Sequence, residues 1–247
     1  MVEPPARELV LRVSGLCKRF GGLAAVSNCS FDVYAGDIVG LVGPNGSGKS
    51  TVFNLITNIL PADSGKVQHR NADITTLKVH KIARRGVGRT FQEVKIFREL
   101  TPWDNMTIVA QGRHLRDWQP LAKHLIAEMG LSHLVLDIAG NLSIGQQRLL
   151  ELAMQLLIEP SLLLLDEPLA GVHPVVSNRI AEIVRAMREK GCAILLIEHD
   201  MRFVMKLCDR VVVMDHGEKI AEGPPQLIRE DERVVNALLG GYRERAA

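Results

Sequence analysis

The residues with the clearest chemistry in this chain form a run of glycines, one lysine and two adjacent hydroxyls. The run reads Gly43-Pro44-Asn45-Gly46-Ser47-Gly48-Lys49-Ser50-Thr51. Glycines allow backbone N–H groups to turn inward as a concave anion nest, and a helix that starts there adds a partial positive charge. In this spacing Lys49 reaches the terminal phosphates of a nucleotide, and the Ser50 hydroxyl lies on Mg²⁺. The run, called the P-loop below, predicts a nucleotide site.

Two adjacent acids, Asp166 and Glu167, follow the apolar run from Leu162 to Leu165. A strand that ends in acids places them at the carboxyl edge of a sheet, where α/β proteins bind ligands. Neighbouring strand residues point in opposite directions, so the two carboxylates have different roles. Asp166 is predicted to lie on the magnesium side, and Glu167 to polarise the water that attacks the γ-phosphate.

A third candidate anion site begins at Ser143, in the stretch Leu142-Ser143-Ile144-Gly145-Gln146-Gln147. A serine cap with a glycine at a helix start leaves N–H groups free beside the positive end of the helix dipole. Taken alone, the stretch is better explained as an ordinary N-cap. Gln92 and His199 are further polar candidates, because each follows a short apolar run that predicts a strand.

The elements that must position these residues alternate between strands and helices. Strands are predicted at Ile38 to Val42, Leu162 to Leu165 and Ala193 to Ile197, with helices after the P-loop, from Ser143 to Pro160 and from Val175 to Lys190. Continuous apolar strands alternating with helices indicate a parallel sheet covered on both faces. The fold class is therefore α/β.

The segments outside this alternation are of three kinds. Residues 9–33 alternate as β-strands, residues 62–75 are turn-rich, and Thr76 is expected to cap a short basic helix that ends at Gly86, before a strand at Val87 to Phe91. Residues 99–141 contain no strand pattern, and Thr101-Pro102-Trp103-Asp104 is typical of a helix start. We interpret 1–247 as one domain, with a core of 1–98 and 142–247 and a helical insertion of 99–141. A lid, a docking surface and a plain helix pair all remain open for the insertion.

Composition limits the partners. The net charge is +2 without a basic block, which argues against nucleic acid as a ligand. Four cysteines lack metal spacing, so we expect free thiols in a reducing cytosol. No apolar run approaches the roughly 18 residues that cross a bilayer, and Met1 to Arg7 lacks the apolar segment of a signal peptide. A soluble chain that acts at a membrane through a partner is the expectation.

The order of these parts is more specific than any one of them, and it resembles the ATP-binding subunits of ABC transporters over nearly the whole chain. The resemblance implies ATP and Mg²⁺ as ligands and an ABC ATPase core with an antiparallel β subdomain at its start. By position, Gln92 is similar to the Q-loop glutamine that touches the magnesium shell, and His199 to the switch histidine that contacts the γ-phosphate. Phe20 falls where the family stacks an aromatic ring on adenine. Ser143, Gly145 and Gln146 lie in the signature motif, which binds the γ-phosphate held by the other subunit of a head-to-tail dimer.

Four further stretches resemble the branched-chain amino-acid importer group and its relatives that import urea and short amides. They are Phe20 to Val26, Arg89 to Gln92, Asn141 to Ser143 and Ala221 to Pro224. The sequence departs from the family's pattern at His173 in the D-loop, where asparagine or aspartate is usual, and at Ile144 in the signature. The insertion also looks shorter than in many such importers.

The resemblance implies a motor subunit at the cytoplasmic face of the cell membrane. Its implied partners are permease subunits, a second ABC ATPase subunit and a periplasmic or extracellular solute-binding protein. An exporter ATPase, such as one for lipopolysaccharide, shares the catalytic parts and stays an alternative. A soluble ABC protein acting on ribosomes or DNA is disfavoured by the single nucleotide domain and the lack of a basic face. A GTPase is disfavoured because no N-K-x-D or T-K-x-D motif is present.

Overall fold

A computed structural model describes residues 7–243. The expectation that Met1 to Arg7 is not a signal peptide therefore concerns residues that, except for Arg7, lie outside the described range. Residues 1–6 and 244–247 of the predicted core also lie outside it. The strands are β1 (Leu9–Phe20), β2 (Leu23–Tyr34), β3 (Ile38–Val42), β4 (Ser64–His69), β5 (Ala72–Asp73), β6 (Val87–Arg89), β7 (Leu162–Asp166), β8 (Ala193–Ile197), β9 (Arg210–Asp215) and β10 (Glu218–Gly223). The helices are α1 (Lys49–Ile56), α2 (Val79–Arg84), α3 (Pro102–Gly112), α4 (Gln119–Glu128), α5 (Ile144–Leu156), α6 (Pro174–Glu189), α7 (Met201–Leu207), α8 (Pro225–Glu230) and α9 (Glu232–Arg243).

A mixed sheet in the order β10-β9-β3-β8-β7-β6 carries the candidate site. The pairs from β9 to β6 are parallel, and only β10 adds to it antiparallel. The carboxyl ends of β3, β7 and β8 therefore lie side by side at one edge. This edge holds the P-loop, the two acids and the histidine, as the sequence predicts for an α/β fold.

The central strands are buried on both faces, which explains their continuous apolar sequences. Successive residues enter opposite cores, because side chains alternate across a strand. Leu163 and Leu165 pack in one core, largely with the helices α3 to α6, while Leu162 and Leu164 pack in the other with α1 and with strands β1 and β2.

The second core is closed by an antiparallel sheet in the order β2-β1-β4-β5. The prediction of turn-rich structure for residues 62–75 was wrong, because β4 and β5 lie there. β4 alternates polar, exposed residues with Val67 and His69, which are buried against the sheet, and a strand of this composition is stabilised by pairing with β1 rather than by its own pattern. Thr76 was also wrong as a cap: α2 begins after Lys78, and the nearby Thr75 hydroxyl instead bonds Asp73 and Val67.

Residues 99–141 contain α3, α4 and two short 3₁₀ turns. Thr101 caps α3 with Pro102 and Asp104 in the first turn, as the sequence predicted, and it also forms a full capping box with Asp104. Helices α3 and α4 pack against α5 through buried residues such as Met106, Ala122 and Ile126. The remaining boundary errors are small: β6 ends at Arg89 rather than Phe91, and α5 ends before Pro160 at Leu156.

Candidate active site

The P-loop joins β3 to α1 and wraps around the amine of Lys49. Lys49 Nζ donates to the carbonyls of Gly43 and Pro44 at 2.9 and 2.8 Å, and approaches Ser47 Oγ at 3.3 Å. Burial lowers the pKa of Lys49, and the negative charges of Glu167 and Asp166 oppose this fall. The loop therefore holds a cation at its centre, positioned by its own carbonyls.

Two glycines of the loop are required by close packing. A Cβ at Gly43 would lie 2.1 Å from the Met214 carbonyl oxygen, and a Cβ at Gly48 would lie 2.4 Å from that of Ala25. Gly48 also has a φ of 100° as the N-cap of α1, without a side-chain cap, so its conformation favours glycine. The first N–H groups of α1 are thus directed toward the loop without a competing side-chain acceptor, which suits an anion.

A cleft of about 1070 Å³ opens over this loop. Phe20 lies at its border and is 48% exposed, so the exposed ring is available for stacking rather than packed in a core. The cleft brings together most of the predicted site residues with some that were not predicted. Its lining includes Phe20, Leu23, Ala24, Gly43, Pro44, Asn45, Gly46, Gly48, Lys49, Ser50, Thr51, Gln92, Glu167, His199 and His216.

Glu167 is held at the cleft by two of the predicted residues. Its Oε2 accepts from Gln92 Nε2 at 3.0 Å, and its Oε1 lies 2.6 Å from His199 Nε2. Glu167 follows β7 with a φ of 48°, a left-handed conformation that non-glycine residues adopt infrequently. This turn directs the side chain of Glu167 away from that of Asp166. The Glu167 carboxylate lines the P-loop cleft with one oxygen near Gln92 and the other near His199. In this position it can accept a proton from water.

Asp166 lies behind the cleft rather than in its lining. Its Oδ2 is 3.2 Å from Arg89 Nη2 in a buried ion pair, while Oδ1 is buried without a hydrogen-bond partner among the described residues. Burial raises the pKa of Asp166, and Arg89 opposes the rise. An orphaned carboxylate oxygen near the P-loop, with the exposed Ser50 hydroxyl, fits the oxygen ligands that Mg²⁺ prefers, directly or through its waters.

Glu198, which the sequence analysis missed, joins two of the loops at this edge. The residue is only 5% exposed, and its carboxylate accepts from Leu169 N at 2.8 Å and from His199 N at 3.1 Å. Burial raises the pKa of Glu198, and these backbone donors oppose the rise. The turn after β7 and the turn after β8 are thus held by one carboxylate.

The predicted anion site at α5 lies apart from this cleft. Ser143, Gly145 and Gln146 do not belong to the cleft lining formed by the described residues. Ser143 is exposed and caps α5 in a box with Gln146: Gln146 N donates to Ser143 Oγ at 3.3 Å, and Ser143 N donates to Gln146 Oε1 at 2.9 Å. Gly145 is buried, and a Cβ there would lie 3.0 Å from Val176. This end of α5 faces outward without a nucleotide loop beside it.

Comparison with known proteins places this site in a family. The model of the ABC transporter family matches residues 26–170, a span that runs from β2 through the P-loop to the acids and the turn after them. The chain belongs to the ABC transporter family. It is 39% identical over 250 residues to the high-affinity branched-chain amino acid transport ATP-binding protein BraF of Pseudomonas aeruginosa, covering 94% of this chain and 98% of that protein.

Other ABC proteins are similarly related. The high-affinity branched-chain amino acid transport ATP-binding protein LivG of Escherichia coli is 38% identical over 250 residues, with 94% of this chain and 98% of LivG covered. The lipopolysaccharide export system ATP-binding protein LptB of Escherichia coli is 37% identical over 233 residues, with 93% and 97% covered. The crystal structure of the ADP conformation of MJ1267, an ATP-binding cassette of an ABC transporter, matches with a TM-score of 0.84 and 32% identity over 94% of this chain and 99% of that one.

Membership confirms the resemblance and the fold class predicted from the sequence. As an ABC transporter ATPase, the chain binds ATP, hydrolyses it and couples hydrolysis to transport. ABC ATPases of transporters work with permease subunits. No helix in the described range 7–243 is long and apolar enough to span a membrane.

Proposed function

We propose that this chain is the motor subunit of an importer for a small solute, either branched-chain amino acids or a related amide or amino-acid cargo. It acts at the cytoplasmic face of the cell membrane, through permease subunits that receive solute from a periplasmic or extracellular binding protein. A second ABC ATPase subunit, identical or similar, completes the motor. The names of BraF and LivG support the cargo class.

The observation that carries the proposed ATPase chemistry is the position of Glu167. Its carboxylate faces the P-loop cleft with Gln92 at 3.0 Å and His199 at 2.6 Å. Glu167 accepts the proton of the attacking water while the water oxygen bonds to the γ-phosphorus, and ADP leaves with the electrons of the broken bond. His199 orients Glu167, and Gln92 holds it toward the metal side.

The other site residues hold the nucleotide. The P-loop amides and Lys49 bind the phosphates, and Phe20 stacks on the adenine ring. Ser50, Gln92 and Asp166 would hold Mg²⁺, which when bound would neutralise phosphate charge. The free Oδ1 of Asp166 supports this assignment, because a buried carboxylate oxygen is costly unless it has a partner.

The location of the α5 cap supports a two-chain site. The capped end of the helix at Ser143, Gly145 and Gln146 lies outside the cleft of its own chain, with Ser143 exposed. In a head-to-tail dimer it binds the γ-phosphate held by the partner. Residues 99–141 then form a helical subdomain beside a core of 1–98 and 142–247.

An exporter is the second candidate, because LptB has nearly the same identity as LivG. One isolation experiment separates the two. The full chain is captured from membranes of its own host, its partners are identified by mass spectrometry, and the complex is reconstituted to measure ATP-dependent movement of labelled leucine and of lipopolysaccharide. Importer permeases and leucine uptake are expected; lipopolysaccharide movement without uptake would refute the import proposal. Lys49→Ala is the control, since loss of its phosphate contact should abolish ATP binding.

A further inference from the structure

The loop that carries Gln92 has little regular structure of its own. After β6 ends at Arg89, residues 90–98 contain no helix or strand, and α3 begins only at Pro102. The backbone groups of such a loop need hydrogen-bond partners from elsewhere when they lie near the core. Asn105 of α3 bonds the backbone of Phe97, and around Gln92 the partners are side chains of α5.

Three residues of α5 provide these partners from one face of the helix. Arg148, Glu151 and Gln155 are spaced by three and four residues, which places them in a row along one side. Gln155 Oε1 accepts from Arg89 N at 3.0 Å, where the strand ends. Glu151 and Arg148 continue the row into the loop itself.

Arg148 and Glu151 bond both kinds of backbone group in the loop. Arg148 donates through Nη1 to the Phe91 carbonyl at 2.5 Å and through Nη2 to the Gln92 carbonyl at 2.6 Å. Glu151 Oε1 accepts from Lys95 N at 3.0 Å and from Phe91 N at 3.4 Å. The two side chains also pair with each other at 3.2 Å and are 4% and 1% exposed.

This arrangement is unusual for the middle of a helix that packs on an apolar core. Buried charges are costly unless they are paired and hydrogen-bonded. Removing one partner would leave the other charged and buried. The planar guanidinium of Arg148 also fixes the distance between the carbonyls of Phe91 and Gln92, because it donates to both. A lysine, with one flexible ammonium, would not fix this distance.

We propose that Arg148 and Glu151 are positioning residues of the ATPase reaction, which grip the backbone on both sides of Gln92 so that its amide meets Glu167. These two residues belong to the helix that Ser143 caps, so α5 joins the loop beside the proposed catalytic acid to the anion site that we propose faces the second subunit. A shift of α5 therefore moves Gln92. The inference rests on the proposed roles of Gln92 and Glu167.

The test is a double-mutant cycle on the full chain, with phosphate release measured across ATP concentrations. Arg148→Lys keeps the charge next to Glu151 but loses the two-carbonyl fork. We expect its kcat to fall on the order of tenfold with KM for ATP within twofold, because a misplaced group about 1 Å away costs this much or more. In a Gln92→Ala background the same change should alter kcat less than twofold, because the effect passes through Gln92.

Arg179→Lys is the matched control. Arg179 also pairs with a glutamate three residues on, Glu182, and donates to a backbone carbonyl of another helix, that of Glu128. It lies on α6 outside the cleft lining, so its kcat should stay within twofold of wild type. If Arg148→Lys does not fold, as judged by its thermal unfolding, Glu151→Gln is measured under the same criteria.

Three results would overturn the inference. The first is a kcat of Arg148→Lys within twofold of wild type. The second is a fall in kcat matched by an equal rise in KM. The third is a fall in kcat as large in the Gln92→Ala background as in the wild type. Wild-type turnover in Gln92→Ala alone would instead refute the proposed role of Gln92 itself, and the positioning role would fall with it. The two failures are therefore distinguishable.

Discussion

Glu198→Ala tests whether the backbone at the edge of the sheet is set by one buried carboxylate. In the wild type this carboxylate bonds Leu169 N at 2.8 Å and His199 N at 3.1 Å. Leu169 follows the turn of Glu167, and His199 Nε2 lies 2.6 Å from Glu167 Oε1. The substitution therefore releases two loops that meet at the proposed catalytic acid, Glu167.

The expected loss of stability follows from the groups left behind. A buried N–H without a partner costs about 1–3 kcal/mol. The N–H groups of Leu169 and His199 are only part-buried, so the lower end of this range applies to each and the two together cost about 2 kcal/mol. Relief of the buried charge works in the other direction, since burial is the largest cause of the raised pKa of Glu198. We expect a net loss of about 1 kcal/mol in the free energy of unfolding. Glu198→Gln retains one acceptor oxygen and should lose about half as much.

The expected loss of activity is larger than stability alone explains. If the His199 turn relaxes by about 1 Å, its bond to Glu167 is lost and kcat falls on the order of a hundredfold. Turnover is measured as phosphate release at saturating ATP, and stability by urea unfolding of the same variants. Asp200→Ala is the control: its side chain caps α7 through Arg202 N and Phe203 N, so it should lose about 1 kcal/mol with kcat within twofold. A Glu198→Ala chain that loses stability but keeps turnover within twofold would refute the reasoning.

Three further predictions concern the acid, the D-loop and one buried histidine. Glu167→Gln should retain ATP binding and lose at least 100-fold in kcat, because proton acceptance is worth about 10²–10⁴-fold; near wild-type hydrolysis would remove Glu167 from this role. His173→Asn should preserve turnover and change the free energy of unfolding by less than about 1 kcal/mol, because asparagine can accept from Val175 N in place of His173 Nδ1; a large loss of hydrolysis would show a specific use of the histidine. Burial, with Arg70 and Arg85 nearby, lowers the pKa of His69 from 6.5 to about 4. Between these two pH values the unfolded chain binds a proton at His69 that the folded chain does not. The free energy of unfolding therefore falls as the pH falls from about 6.5 to about 4. At pH 5 the loss is about 2 kcal/mol, and urea unfolding of His69→Gln should lack it; equal pH dependence in both proteins would contradict the prediction.

Local patterns in the sequence were enough to predict the backbone structure around the main parts of the candidate site. The strand, loop and helix of the P-loop, the strand that ends at the two acids and the helix capped by Ser143 each depend on residues within a few positions of one another. The structure has these elements, and family membership confirms the fold that joins them. Parallel strands then bring their ends to one edge, which is a rule of topology rather than of any single residue.

The supporting contacts could not be predicted in the same way. Arg148 and Glu198 bond backbone groups of residues 57 and 29 positions away, and a backbone amide leaves no signature in the side-chain pattern. A weak signal did exist. Arg148 and Glu151 stand on the otherwise apolar face of α5 with a spacing of three residues, and charged residues on a buried helix face require partners. Strand β4 was missed because its own sequence is polar and contains glycine, which predicts a turn. Its pairing with β1 outweighs this local preference.

The contacts around Glu167 share one physical design. The loop of Gln92 is held by Arg148 and Glu151, and the turn of His199 is held by Glu198, in each case by a buried charge bonded to backbone. Gln92 and His199 lose little conformational freedom when nucleotide binds, because their backbone is already held in place. The groups that contact Glu167 are therefore positioned within a single chain. The proposed anion site at Ser143 lies outside this cleft. In the proposed dimer, the second subunit therefore covers the phosphates and is not needed to position Glu167. A movement of α5 on dimer closure would then move the loop of Gln92.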